Sequence, residues 1–302
     1  MKILKHLFVI AIAFLTIMTI SSAIVCASDA IDDDVTPNNL SKKELAKIEK
    51  SYDDVWNNIK YYRVTKAVKL KVTFYDKNIE GKGKSVRVKI PKGTILSGDK
   101  QHIDGPKGTV INSFEINSDT LSYRLLKPVI STGTNLLAYN ATANAKKMSS
   151  INKYFSRIKR PAYMPAYSSG SLYIYPLNKK KFSPFGAITN RLKITPDGYL
   201  EFTKNNSPEV ETNKEFNLTP DAHIKISKAV IKNNTRYLYY AHHLEGVSDK
   251  KVAKTGKNMY RLAITNLHRP FSMFDGDQGA VLMSRYKVGS TVYYTESGGY
   301  SA

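Results

Sequence analysis

The run Tyr62-Arg63-Val64-Thr65-Lys66-Ala67-Val68-Lys69-Leu70-Lys71-Val72-Thr73-Phe74 decides the fold class. Val64, Val68, Leu70, Val72 and Phe74 alternate with Arg63, Thr65, Ala67, Lys69, Lys71 and Thr73. A period of two predicts one long strand with a single buried face. Asp76 to Lys84, with Gly81 and Gly83, reads as a turn. Val86, Val88 and Ile90, alternating with Arg87 and Lys89, read as the return strand. Pro91-Lys92-Gly93 closes it, and Thr94-Ile95-Leu96 opens the next strand of a β-meander.

If the two strands pair, Lys69, Lys71, Arg87 and Lys89 share the outward face. Like charges standing directly opposite cost roughly 0.2–1 kcal/mol per pair. Folding alone does not ask for that arrangement, and a polyanion across the face would turn repulsion into attraction. These four are the candidate ligand-binding residues.

The theme recurs. Tyr62 to Val68 is echoed by Tyr123-Arg124-Leu125-Leu126-Lys127-Pro128-Val129 and by His223-Ile224-Lys225-Ile226-Ser227-Lys228-Ala229-Val230. Short glycine turns follow each, at Gly93, Gly198 and Gly289. The unequal spacing excludes a regular solenoid. The expected fold is mainly β: two or three small barrels or β-meander modules, over 61–115, 116–205 and 218–302, after an N-terminal amphipathic helix. In the middle, Met148, Ile151, Phe155 and Ile158 suggest a basic helix within 144–160, while 172–176 and 198–202 read as strands.

Upstream, Ser41-x-x-Glu44 is a capping box. Leu45, Ile48, Tyr52, Val55, Trp56 and Ile59 then recur at helical spacing, predicting a helix over 40–60. Residues 28–39 form an acidic tail without apolar periodicity. Residues 1–27 read as a secretory signal peptide: Lys2 and Lys5, an apolar run from Leu7 to Ile20, and the small-residue exit Ser21-Ser22-Ala23-Ile24-Val25-Cys26-Ala27. The run is short for a membrane span. Bulky Val25 also argues against lipidation of Cys26. Cleavage after Ala27 would remove the only cysteine.

Charge is the dominant compositional feature. The 302 residues carry a formal net charge of +21, and only two of the basic residues lie in the leader. A cysteine-free, Lys- and Asn-rich exported chain is expected of a Gram-positive bacterium, since secreted eukaryotic proteins of this size are usually disulfide-stapled. Strands ending in Lys-Gly-Thr-Ile or Val-Gly-Ser-Thr-Val-Tyr-Tyr turns, in a Lys/Tyr-rich frame, resemble the bacterial SH3-like and surface-layer-associated modules of lactobacillus-type exported proteins. The resemblance covers 65–98, 120–203 and 220–296, and implies small barrels that hold a protein on cell-wall polymer.

Catalytic patterns fail on physical grounds. Gly81-Lys82-Gly83-Lys84-Ser85 has Asn78 where a phosphate loop needs glycine, and it joins two strands. Ser150-Ile151-Asn152-Lys153 with Lys254-Thr255-Gly256 mimics penicillin-binding fragments without the intervening element. His242 and His243, read as strand neighbours, point to opposite faces and leave only a His243–Glu245 pair, too few ligands for a catalytic zinc. Asp275-Gly276-Asp277 lacks the closing acid of a calcium loop. Neither metal nor cofactor is expected.

The expected protein is secreted or non-covalently wall-associated and non-catalytic. Its expected partner is anionic cell-wall polymer, teichoic acid or peptidoglycan carrying it, rather than nucleic acid. Tyr167, Tyr173 and Tyr175 are candidates for stacking on sugar rings. The rival readings are a wall hydrolase whose carboxylates meet only in the fold, and an adhesin or toxin-like factor aimed at another cell surface.

Overall fold

The computed structural model describes residues 38–51, 58–76, 83–104, 109–130, 136–145, 147–174, 190–204, 219–274 and 280–300. The fold is mainly β, in two antiparallel sheets, with a helix near the N-terminal end. Among the described residues no helix is long and apolar enough to cross a membrane. The stretch expected to be one strand is two. β2 (Tyr61–Val64) and β3 (Val68–Asp76) are separated by a bend at Thr65, Lys66 and Ala67.

The bend shapes the first sheet. Its order is β4 (Gly83–Ile90), β3, β7 (Leu136–Ala145), β6 (Val110–Ile116), β5 (Ile95–Asp104), β2, β8 (Phe155–Ile158). β3 and β2 are four strand-steps apart along this path. Laid flat, that distance is about 19 Å. The chain from Val64 to Val68 reaches at most about 14 Å. The sheet must therefore curl, and Val64, Leu70, Val72, Ile90 and Phe114 fill its concave side, fully buried. Phe114 stacks on Phe155 with ring centroids 4.0 Å apart, and Tyr62 meets Phe114 edge-on at 4.9 Å. Backbone groups at the bend are not left bare. Val64 N–H donates to the Thr94 carbonyl at 2.8 Å, Thr65 N–H to the Tyr154 carbonyl at 2.9 Å, and the Thr65 hydroxyl to the Lys153 carbonyl at 2.5 Å.

The second sheet repeats the device more tightly. β9 (Ser171–Ile174), β10 (Asn190–Ile194), β11 (Tyr199–Lys204) and β12 (Ala222–Lys225) form one arm. β13 (Lys228–Lys232), β14 (Thr235–Tyr240), β16 (Tyr260–Asn266) and β18 (Ala280–Val288) form the other. β19 (Thr291–Tyr300) joins them, giving the order β12-β11-β10-β9-β19-β18-β16-β14-β13. β15 (Lys250–Lys251) lies beside β16, and β17 (Phe271–Phe274) beside β18. β12 and β13 sit at opposite ends of this path, yet only Ile226 and Ser227 separate them. A flat sheet would need close to 40 Å there; the link reaches about 11 Å. The sheet curls until its ends meet around one core: Leu192, Ile194 and Leu200 from one arm, Leu238, Leu262 and Ile264 from the other, all fully buried. Gly246, just beyond β14, lies against the ring of Phe202 in β11, where a Cβ would come within 1.9 Å of a ring carbon.

Two of the three occurrences of this theme thus fall on corresponding corners. Arg63-Val64-Thr65-Lys66-Ala67-Val68 and Lys225-Ile226-Ser227-Lys228-Ala229-Val230 each span a bend between two strands. At the second corner Ser227 acts like Thr65, its hydroxyl donating to the Tyr239 carbonyl at 2.9 Å. The remaining occurrence, at Tyr123 to Val129, is not a strand. Tyr123–Leu126 is a helical turn, α2, where Leu125 and Leu126 replace the β-branched residues that favour strands. The helix expected within 144–160 is also shorter. α3 covers Met148–Tyr154, and Phe155 to Ile158 switch to strand β8 on β2, which places Phe155 against Phe114.

The sheets do not divide at the expected module boundaries. β6 pairs with β7 across residue 116, and β8 completes the first sheet, whereas β9 to β11 pair into the second. Residues 116–205 are shared between the two sheets.

The N-terminal helix, α1 (Lys42–Ser51), has the predicted capping box. Ser41 N–H donates to Glu44 Oε2 at 2.7 Å, and Glu44 N–H donates to Ser41 Oγ at 3.2 Å. Hydrogen bonds from the Ser41 side chain and backbone hold the Glu44 carboxyl below the usual carboxylate range. Ile48 and Leu45 pack on Leu282 of the second sheet. Asn38–Asn39, strand β1, pairs with β17. Tyr52, Val55 and Trp56, and the leader and acidic tail through residue 37, lie outside the described residues.

A polar clasp holds the two sheets together. The segment entering α2 meets the β10–β11 hairpin: Ser122 Oγ donates to Asp197 Oδ2 at 2.8 Å, and Tyr123 N–H donates to Glu201 Oε1 at 2.6 Å. Lys193 Nζ donates to the Leu121 carbonyl at 2.7 Å and stands 3.6 Å from Glu201. Burial pushes the Glu201 carboxyl up, against the opposing pull of Lys193. The Lys193 and Glu201 side chains are 8% and 6% exposed. Removing one partner of such a pair costs about 3–5 kcal/mol. Lys193→Met should therefore lower unfolding free energy by that amount in urea denaturation; a loss below about 1 kcal/mol, the surface ion-pair range, would show that the clasp is not closed in solution.

Candidate functional site

The register of β3 and β4 settles where the four basic residues stand. Lys69 lies opposite Lys89, and Lys71 opposite Arg87. All four are exposed, while Leu70, Val72, Val88 and Ile90 on the other side are buried. The side-chain spacing is about 5 Å across the strands and near 7 Å along them, so the four cations make a compact two-by-two cluster. Two unit charges about 5 Å apart repel by close to 0.8 kcal/mol even in water. Among the described residues, none of the four has an ion-pair partner.

The row continues through Thr142 on β7 to Glu115 on β6 and Asp99 on β5. Glu115 is two strands from Lys71, about 10 Å away, the distance at which salt screens exposed charges. Burial first, with Asp99 adding to it, raises the Glu115 carboxyl above its ordinary range; a hydrogen bond from Gln101 opposes the shift. Asp99 is taken by Lys60 at 2.5 Å. The cluster therefore stays uncompensated, with neutral Thr142, and the Thr73–Ser85 hydroxyl pair at 3.0 Å, beside it.

The expected stacking residues lie elsewhere. Tyr167 and Tyr173 belong to the region of the second sheet, not to the hairpin. Tyr167, at φ 51°, packs with Leu40 and Leu45 around Ile48 and Leu282, and its carbonyl accepts from Ser297 Oγ at 2.7 Å. It docks α1. Tyr173 is half-buried in β9, across from Arg191 and Tyr294. Tyr175 lies outside the described residues.

Much of the interleaving of tyrosine with lysine and arginine is internal. Tyr199 has Lys225 Nζ at 4.5 Å and the Arg124 guanidinium at 5.4 Å from its ring centroid. Tyr62 likewise has Lys100 at 5.1 Å and Arg157 at 5.8 Å. Burial, then the nearby Arg157 charge, pulls the Lys100 ammonium below its ordinary range. Contacts of this kind contribute about 0.5–1 kcal/mol at exposed sites and more when desolvated.

Other chemistry resolves into structure. β14 ends at Tyr240, so His242 and His243 sit in a turn, and the partner of His243 is Asp249 rather than Glu245. The Asp249 carboxylate, 2% exposed, accepts from Tyr240 Oη at 2.8 Å and Leu244 N–H at 3.0 Å, and lies 2.7 Å from His243 Nδ1. This is a turn staple. Among the described residues no cluster of three or more His, Cys, Asp or Glu is arranged to hold a metal. Residues 77–82 and 275–279 lie outside the described residues. A groove of about 510 Å³ runs between the sheets, with Ile95, Ile158 and Ile226 as apolar lining and Arg63, Lys159 and Lys228 as cations.

No family model, curated protein or solved structure matches the chain.

The like-charge register has a direct consequence for stability. Lys89→Glu turns one repulsive pair attractive, a swing of about 0.4–2 kcal/mol. Thermal denaturation at low salt should show a higher Tm than the parent, with the gain vanishing at about 1 M salt, where the Debye length is near 3 Å. A lower Tm at low salt would mean that the pairing is not a source of strain.

Proposed function

We propose that this chain is an exported, non-catalytic protein that binds phosphate-rich anionic cell-wall polymer through the outward face of the β3–β4 hairpin. The observation that supports this reading is the uncompensated register of Lys69 with Lys89 and Lys71 with Arg87. A fold with no ligand gains by replacing one member of each pair with a neutral or acidic residue. A ligand with phosphates spaced along an extended backbone gains by keeping all four. Outside a Gram-positive cell, teichoic acid and peptidoglycan carrying it supply such charge in bulk, whereas nucleic acid does not. Retention at the surface by SH3-like modules is part of the same proposal. The rival hydrolase would need two carboxylates facing an open cleft. The buried acids Asp197 and Glu201 are instead engaged by Ser122, Thr195 and Lys193, outside the groove.

Binding of this kind is driven by counterion release. Four contacts at a slope of about −0.7 each, the value for a single-stranded polyanion, weaken binding roughly 50-fold between about 50 and 200 mM salt. The test is co-sedimentation with purified sacculi, with and without teichoic acid. The parent should bind intact sacculi with that salt dependence and release on extraction of teichoic acid. The Lys69→Gln, Lys71→Gln, Arg87→Gln, Lys89→Gln variant should bind teichoic-acid-bearing sacculi more weakly and with a smaller salt slope than the parent. Equal retention of parent and variant on both kinds of sacculi would overturn the proposal.

A further inference from the structure

Strand pairing in the second sheet assembles a face that no single stretch of sequence displays. On the outer side of β13, β14, β16 and β15, Lys228 stands opposite Tyr239, Tyr239 opposite Arg261, and Arg261 opposite Lys250. Val230, Tyr237 and Ala263 form the next row. Lys232, Thr235, Thr265 and Lys287 form the row beyond. Leu238, Leu262 and Ile264 point the other way and are fully buried, so this is the solvent side. Lys228, Lys232, Lys250 and Lys287 are exposed; Tyr237, Tyr239 and Arg261 are half-exposed. None of the three rows contains an acidic residue. Arg261 and Lys250 repeat, on a different sheet, the like-charge pairing of the hairpin.

The first row crosses four strands, about 14 Å. At Lys228 it runs into the groove between the sheets, which carries Arg63 and Lys159. A cationic track thus leads from a cavity onto an open face.

The tyrosines specify the chemistry. Lys228 Nζ lies 5.6 Å from the Tyr239 ring centroid, and the Arg261 guanidinium 4.8 Å from that of Tyr237. One face of each ring is taken by a cation. Beside these cations the phenol hydroxyls are open to a ligand: among the described residues neither has a hydrogen-bond partner. Beside them the Thr235 and Thr265 hydroxyls bond each other at 2.8 Å. Hydroxyls set among cations suit a hydroxyl-rich, charged sugar chain, whose groups pair with both, whereas a nucleobase would use the rings alone.

We infer that this face and the adjoining groove bind an anionic glycan, a chain of sugars bearing carboxylate, sulfate or phosphate groups. The charges pair with Arg63, Lys159, Lys228, Arg261 and Lys250, and sugar hydroxyls bond the tyrosine and threonine hydroxyls. The inference extends the reading of the hairpin to a second surface, and it does not require the hairpin to bind.

The experiment uses the full chain carrying the four hairpin Gln substitutions, titrated calorimetrically with a heparin oligosaccharide and with inorganic polyphosphate of matched charge. Heparin should still bind. Tyr237→Phe with Tyr239→Phe keeps both rings and removes both hydroxyls. It should lower heparin affinity about tenfold, the size expected for two lost neutral hydrogen bonds, and leave polyphosphate affinity unchanged. Arg261→Gln with Lys250→Gln should weaken both ligands. Loss of heparin binding in the hairpin variant, equal response of the two ligands to the Phe substitutions, or tighter binding of a single-stranded DNA oligomer than of heparin would each overturn the inference. None of these outcomes bears on sacculus retention by the hairpin, so either surface can fail alone.

Discussion

The structure depends on a reach constraint. Strands four steps apart in the first sheet, and eight steps apart in the second, are joined by links of three and two residues. So short a link leaves the sheet no flat solution, and curling creates an enclosed side. The apolar alternation fills that side, and the polar alternation is turned outward by the same geometry. The hydroxyls of Thr65 and Ser227 answer the question each corner raises, namely what satisfies nearby backbone carbonyls where the ladder breaks. The hairpin face and the outer face of β13 to β16 lie on the side away from the core, while the groove is lined by the corner residues Ile226 and Ser227 themselves.

Legibility in the sequence followed sequence separation. The hairpin register, and with it the placement of Lys69, Lys71, Arg87 and Lys89, was readable because the two strands follow one another along the chain and their apolar faces must match. So was the capping box at Ser41 and Glu44, which spans a single helical turn. The bend at Thr65-Lys66-Ala67 was marked only by Lys66, which stands where the alternation calls for an apolar residue, and no glycine or proline accompanies it. The switch at Phe155 was hidden for the opposite reason. Its helical spacing is real, but the stacking partner Phe114 lies far away along the chain. The row from Lys228 to Lys250 draws on four separate strands, and nothing in any one of them announces the others.

Charge is distributed by role rather than uniformly. Inside the clasp, Lys193 and Glu201 are neutralised locally and specify how the sheets dock. Around Tyr62 and Tyr199, cations lie over rings and serve packing. On the hairpin and on the β15–β16 pair they are placed against one another. Only this last class is unexplained by folding, which is why high net charge alone was a blunt guide to the site.

The position of β19 carries a kinetic consequence. It lies in the middle of the second sheet, pairing on one edge with β18 and on the other with β9, whose partner residue Tyr173 meets Tyr294. The first sheet has all its strands once residue 158 is made, and its contacts are comparatively local. The second cannot close until residues far downstream are available, leaving the β9 edge unpaired meanwhile. Non-local pairing of this kind is slow, and waiting edges invite aggregation. The two halves of the chain are thus set to mature in sequence, the first as a finished body while the second is still an open template.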